Sequence, residues 1–410
     1  MATSGKPIVS IAPTVNHTPT SFALDDIEII SDHANETLLT VREQMLMPHP
    51  KKHAPVFTTP QLAALCRIER KKVNYYWERE ELALPQGTSM PRSREFTLAE
   101  AREWVKKVGP YVPRPAGVKG KKIAVGNFKG GVTKTTSAMT LAQGLSLFGR
   151  RVLLVDLDPQ ASLSALNGVI ADSEVTEDQT ILPLIYGEKE DLKYAIQPTY
   201  WDGIDLIPAS AALFSAEFYL PFKQSQNSGF RFWDVLNAGL EPLLDKYDAI
   251  IIDTPPALSY VTINAFMAAD GLIVPIPPNA LDYASSTQFW SLFTDLGKSM
   301  KNVVPDLEKR FDFIHVLLTK VDGSQIATNK VREWITRSYD SLVLPIEIPA
   351  TTVTTTASME FGTVYDISKY EGSNKTYQRA REAYDRFAEM IDQQLMALWV
   401  AEAQALEEAA

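Results

Sequence analysis

The chain has 410 residues, 45% apolar and 10% aromatic, enough to bury the cores of two or three domains, so global disorder is excluded. No window approaches the roughly 18 to 20 apolar residues of a membrane span, and Met1–Lys6 does not open a secretory leader. The single cysteine, Cys66, excludes a disulfide framework and a thiolate-held metal cluster; a small core residue is its expected role. A soluble cytoplasmic protein is the expectation.

Residues 1–20 are rich in Pro, Thr and Ser without periodicity and read as a disordered tail. From Phe22 to Met47, Ile27, Ile30, Leu38, Val41 and Met45 recur at helical spacing until Pro48 and Pro50 end the stretch. This helix has an apolar stripe suited to self-association or to packing on the next domain. The net charge of -10 is unevenly spread. Lys51 to Lys122 holds nine Lys and seven Arg against seven Glu and no Asp. A basic module inside an acidic chain suits a polyanion contact, or a solvated basic surface.

Within that module, Thr58-Thr59-Pro60-Gln61 reads as a helix start, and Leu62, Leu65 and Cys66 line one face. A break at Ile68–Arg70 leads into a second helix carrying Lys71, Lys72, Asn74 and aromatics. Two short helices and a tight turn make a helix-turn-helix, whose second helix offers cations to phosphates and Asn74 to base edges. Leu82 to Phe96, with Arg92 and Arg94, has the proline and glycine pattern of a wing, and Thr97–Glu100 opens a third helix with capping-box spacing. The segment resembles the helix-turn-helix domains of MerR-type regulators; a small helical domain with a basic rim is the alternative.

Pro110, Pro113, Pro115, Gly117 and Gly120 form a linker. Beyond it, apolar runs at Ile123–Phe128, Val152–Leu157, Ile204–Pro208, Ala249–Asp253, Leu272–Pro275, Phe313–Leu318 and Leu344–Ile348 alternate with helical segments. This predicts an α/β fold with a parallel sheet covered on both faces. Asn374 to Ala403 reads as one long helix with Tyr377, Ala380, Tyr384, Phe387, Ile391 and Leu395 on one stripe. The expected domains are residues 1–50, 51–118 and 119–410.

The most specific chemistry is Lys129-Gly130-Gly131-Val132-Thr133-Lys134-Thr135-Thr136, directly after the first strand of the sheet and opening the next helix. Such a turn aims several backbone N–H groups at a phosphate; Lys134 supplies a charge for the β- and γ-phosphates and Thr135 a hydroxyl for magnesium. Two acidic motifs follow at strand ends: Asp156-Leu157-Asp158-Pro159 and Asp253-Thr254-Pro255-Pro256. Ligands in open α/β sheets bind at such ends, and Asp253 reads as the acid that holds magnesium through water. Taken singly, Asp156 could equally be a helix cap.

With its extra lysine, Lys129, the loop resembles the deviant Walker A loop of the ParA/MinD ATPase family, and the likeness runs from about Lys121 to Lys369. It implies a P-loop ATPase using ATP and Mg2+, in which Lys129 reaches the partner subunit's nucleotide in a sandwich homodimer. Lys134 is then the in-cis phosphate lysine, Thr135 and Asp253 serve the metal, and Asp158 positions the attacking water. Pro277 and Pro278 are similar to the adenine-side strand end, or are a plain strand terminator. One departure is Thr133, where relatives carry Gly or Ser.

The N-terminal extension is similar to that of large plasmid-type partition ATPases. That likeness implies non-specific binding to nucleoid DNA, hydrolysis stimulated by a ParB-type centromere-binding protein, and repression of its own operon through the N-terminal module. The arginine-bearing stretch of many relatives is replaced here by Ile348–Thr356, which has no cation. Lys320, Lys330, Arg332 and Arg337 are the alternative DNA contacts, or solvated surface charges. A MinD-like membrane cycle is not expected, because Glu402–Ala410 is acidic. The rival from another class is a transcriptional repressor for which nucleotide is only an allosteric ligand.

Overall fold

A strand buried on both faces is a continuous apolar run, and all seven expected strands are present in the computed structural model. It describes residues 21–46, 52–91, 93–353, 362–367 and 373–409. The expected tail, Arg92 and the Thr354–Thr356 part of the threonine-rich stretch lie outside these residues. Residues 1–50 form one unit and 51–410 another. The first contains helix α1 (Leu24–Leu46), on which Ile27, Ile30 and Val41 are exposed.

In the second unit the basic module comes first. It has β1 (Phe57–Thr58), α2 (Thr59–Leu65), α3 (Arg70–Trp77), β2 (Thr88–Ser89), β3 (Arg94–Phe96) and α4 (Leu98–Val108). Gln61 Oε1 accepts from the Thr58 N–H at 2.8 Å, starting α2. Thr97 and Glu100 exchange bonds at the start of α4, as a capping box does. The three strands make a small antiparallel sheet in the order β1-β3-β2. Leu62, Val73, Phe96 and Trp104 are fully buried beneath it. Cys66 is buried too, and burial pushes its thiol up to about 12.

The large sheet holds β4 (Lys121–Val125), β5 (Val152–Asp156), β6 (Gln197–Pro198), β7 (Ile204–Ile207), β8 (Ala249–Asp253), β9 (Gly271–Ile276), β10 (Phe313–Val321) and β11 (Val343–Pro349). Their order is β11-β10-β9-β4-β8-β5-β7-β6, all parallel except the edge strand β6. Side chains alternate between two cores. Ile123, Val125, Leu154 and Ile251 face α5 (Lys134–Leu147) and the long helix, while Ala124, Leu153, Val155 and Ile252 face the opposite layer. Among the described residues, the helices after α5 include α6 (Ser162–Leu166), α7 (Ala216–Gln226), α8 (Tyr260–Ala268), α9 (Ala280–Val303), α10 (Ile326–Tyr339) and α11 (Asn374–Ala409). Ala380, Tyr384, Phe387, Ile391 and Leu395 of α11 are buried, and Tyr377 packs partly buried beside them. No helix among the described residues is long and apolar enough to cross a membrane.

The proline-rich linker is docked, not free. Arg114 pairs with Asp248 at 3.2 Å and donates to the carbonyls of Leu244 at 3.0 Å and Asp245 at 2.8 Å. The basic module is likewise fastened to the sheet layers. Arg102 of α4 is 4% exposed; it donates to the carbonyls of Ser146 and Arg150 at 2.9 Å each and pairs with Asp202. Arg150, fully buried, pairs with Asp392 at 2.6 Å and donates to the Val112 carbonyl.

Candidate nucleotide site

The register of the sheet brings the acids together. β5 and β8 run side by side with Asp156 opposite Asp253, and β8 is the direct neighbour of β4, from which the glycine-rich loop springs. Gly126 begins that loop because a Cβ there would lie 2.4 Å from the Phe266 ring. Gly131 has φ +74°, which only glycine adopts freely. Thr133 also has φ +74°, although it is β-branched. Thr133 is therefore a strained residue at the mouth of α5.

The loop borders a cavity of about 630 Å³, within the range of small-molecule sites. Gly130, Gly131, Thr133, Lys134, Thr135 and Thr136 line one side and Asp158 another. Val132 is buried in the loop itself. Lys134 is 7% exposed, and its ammonium donates to the Lys129 carbonyl at 2.9 Å. Burial holds its pKa below the usual lysine range, with Asp253 and Asp158 opposing that shift. Asp158 takes a bond from the Gln160 N–H at 2.9 Å and donates its own N–H to Asp156 at 3.1 Å.

The two buried acids differ. Asp156 accepts from both the N–H and the hydroxyl of Ser164 at 2.8 Å. Burial nevertheless raises its pKa to about 7. This is the helix-end role that the sequence left open for it. Asp253 is fully buried, and neither carboxylate oxygen has a partner at hydrogen-bond geometry. Burial and repulsion from Asp156 lift it well above the carboxylate range, and the Thr135 hydroxyl and Lys134 offset only part of that. A buried carboxylate without donors is costly unless a cation arrives to share its charge, so Asp253 and Thr135 fit a hard, oxygen-seeking metal.

Other expected residues fall elsewhere. Lys129 forms an ion pair with Asp282, at the start of α9, within the same chain. Pro277 and Pro278 are buried and are not among the cavity walls. In the basic module, Lys71, Lys72 and Asn74 are exposed on α3, and Lys71 pairs with Glu69 at 2.8 Å. Arg94 stacks over Trp77 and donates to the Gln86 carbonyl at 2.5 Å, so much of its bonding is spent inside the module. Lys330 is exposed on α10, but Arg332 pairs with Glu347 at 3.1 Å. Lys320, grouped with these cations by sequence, instead donates to the Gly131 carbonyl at 2.7 Å and lines the cavity. No local motif links positions 131 and 320; only the fold does.

The AAA domain family matches residues 120–309. A putative replication protein A of Rhizobium rhizogenes is 30% identical over 307 residues, which cover 73% of this chain and 76% of that protein. Protein SopA of Escherichia coli K12 is 37% identical over 254 residues, covering 61% of this chain and 64% of SopA. A solved structure of a partition protein shares the fold over 91% of this chain and 98% of its own, with a TM-score of 0.60 at 19% identity.

Proposed function

The chain belongs to the ParA/MinD family of partition ATPases, and from that premise we propose that it hydrolyses ATP in a DNA-segregation cycle governed by dimerisation. The observation that carries this reading is the buried, unpartnered Asp253 carboxylate beside Lys134 and Thr135 at the mouth of the glycine-rich loop.

ATP and Mg2+ are the ligands that these groups fit. The loop N–H groups from Gly130 to Thr136 face the phosphates, and Lys134 exchanges the Lys129 carbonyl for phosphate oxygens. Thr135 and Asp253 would hold a magnesium ion, which when bound would supply charge to align and neutralise the phosphates. Asp158, on the cavity wall, orients a water for attack on the γ-phosphorus and receives its proton as the bond to the bridging oxygen breaks. ADP and inorganic phosphate leave. Lys129 leaves Asp282 to reach the nucleotide of a second copy, so the paired state carries more positive charge on the phosphates and loosens when the γ-phosphate is gone.

In this reading the ATP-bound homodimer binds DNA without sequence preference, and a ParB-type centromere-binding protein accelerates hydrolysis. The basic module binds operator DNA through Lys71, Lys72 and Asn74, with Arg94 bracing the wing. Lys330 contributes to the non-specific surface; Arg332 does so only by giving up Glu347. The test pairs phosphate release with a gel shift at low salt. Hydrolysis together with ATP-dependent binding to arbitrary DNA is the expected result; hydrolysis without it would remove the segregation role.

One observation favours the second reading, a nucleotide-regulated repressor. Lys52, at the entry to the basic module, donates to the Leu166 carbonyl at 2.8 Å, and Leu166 lines the nucleotide cavity. Operator affinity that changes with nucleotide, in a protein that releases no phosphate, would establish that reading instead.

A further inference from the structure

A loop that turns its N–H groups inward to a phosphate must turn its carbonyls outward, and buried carbonyls need donors of their own. Two consecutive residues of β10 meet two consecutive carbonyls of the glycine-rich loop. The Thr319 hydroxyl, fully buried, donates to the buried Val132 O at 3.2 Å, and beside it, in an exposed contact, the Lys320 ammonium donates to Gly131 O at 2.7 Å. Lys320 has φ +51°, a left-handed conformation unusual for lysine, while the carbonyl it meets belongs to a glycine at φ +74°. Such conformations persist where the surroundings hold them, and they concentrate at ligand sites. Lys320 also stands on the wall of the same cavity as Lys134 and Asp158.

We infer that Lys320 is a positioning residue of the nucleotide site, which clamps the Gly131 carbonyl so that the loop stays shaped for a triphosphate. The inference deepens the ATP-binding reading above and rests on it. It removes Lys320 from the candidate DNA contacts. The β10 strand end becomes the outer scaffold of the loop, and its sequence position, 189 residues from Gly131, gives no hint of this.

The test measures binding of a fluorescent ATP analogue with magnesium, together with steady-state hydrolysis. It compares the full-length wild type with Lys320→Met, Lys320→Arg and Lys320→Gly, and uses Lys134→Ala as the reference for a lost site. Lys320→Met should weaken binding about threefold to fivefold, the scale of one solvent-exposed charged contact, with the loss falling on KM more than on kcat. Lys320→Arg should restore most of the affinity. Lys320→Gly should lose affinity as Lys320→Met does, yet melt no lower than wild type, because glycine accepts the left-handed backbone. Wild-type affinity in Lys320→Met would overturn the inference. So would restoration by Gly but not by Arg, which would assign the effect to the backbone. A flatter salt dependence of DNA binding with unchanged nucleotide affinity would return Lys320 to the DNA surface. If wild type and Lys134→Ala bind the analogue equally weakly, the nucleotide reading itself fails.

Discussion

Charge is buried both where the basic module meets the sheet layers and where the glycine-rich loop meets β8, and the two places treat it in opposite ways. At the seam, all three nitrogens of the Arg102 guanidinium have oxygen partners, and Arg150 is held by Asp392 and the Val112 carbonyl. At the loop, neither Asp253 oxygen has a partner at full hydrogen-bond geometry, the nearby Thr135 hydroxyl relieving it only in part, and Lys134 meets a carbonyl of its own loop in place of an anion. Desolvation penalises a buried charge in either place. Protein groups answer it at the seam, whereas the loop leaves the answer to a ligand. Matched charge therefore marks architecture, and unmatched charge marks the site.

The largest expected effect comes from removing an unmatched cation. Lys134→Ala should weaken ATP binding on the order of 1000-fold, about 4 kcal/mol, without lowering the melting temperature of the apo protein. A strong loss of stability would place Lys134 with the seam residues. Arg102→Ala should do the reverse, destabilising the fold by about 3 kcal/mol in urea while leaving nucleotide affinity within about twofold, because it strands carbonyls and Asp202. If nucleotide affinity fell equally, the distinction between the two regions would break.

Asp156 sharpens the comparison, because it has partners and is still raised. Its folded pKa of about 7 lies above the ordinary aspartate value of 3.8, so between those values the folded protein keeps a proton that the unfolded chain has released. Apo stability should then fall as pH rises through that window. Asp156→Asn should flatten this slope and gain about 2 kcal/mol at pH 8, measured by urea unfolding at several pH values. An unchanged slope would mean that Ser164 and the Asp158 N–H already satisfy the charge. Smallest of all, Thr133→Gly should relieve the left-handed backbone and add about 1 kcal/mol of thermal stability while keeping nucleotide binding.

The parallel strands were legible because burial on both faces leaves no polar alternation to confuse the pattern. β6 was not, being a two-residue polar edge with a proline and no apolar signal. The loop and the strand-end acids were legible as motifs, since their chemistry is local. Whether a buried acid is satisfied was not: Asp156 and Asp253 look alike in sequence and differ because Ser164 and the Asp158 N–H reach one of them. Arg102 counted only as a charge, and Lys320 as a DNA contact or solvated cation, because their partners lie across the fold.

In the proposed cycle, nucleotide joins two copies of this chain across the loop that carries Lys129. Sedimentation of Asp158→Ala protein with saturating ATP and magnesium tests it most directly. The account predicts an added nucleotide-dependent step in assembled mass that disappears in Lys129→Ala. The same mass with and without nucleotide, in protein shown to bind ATP, would contradict it.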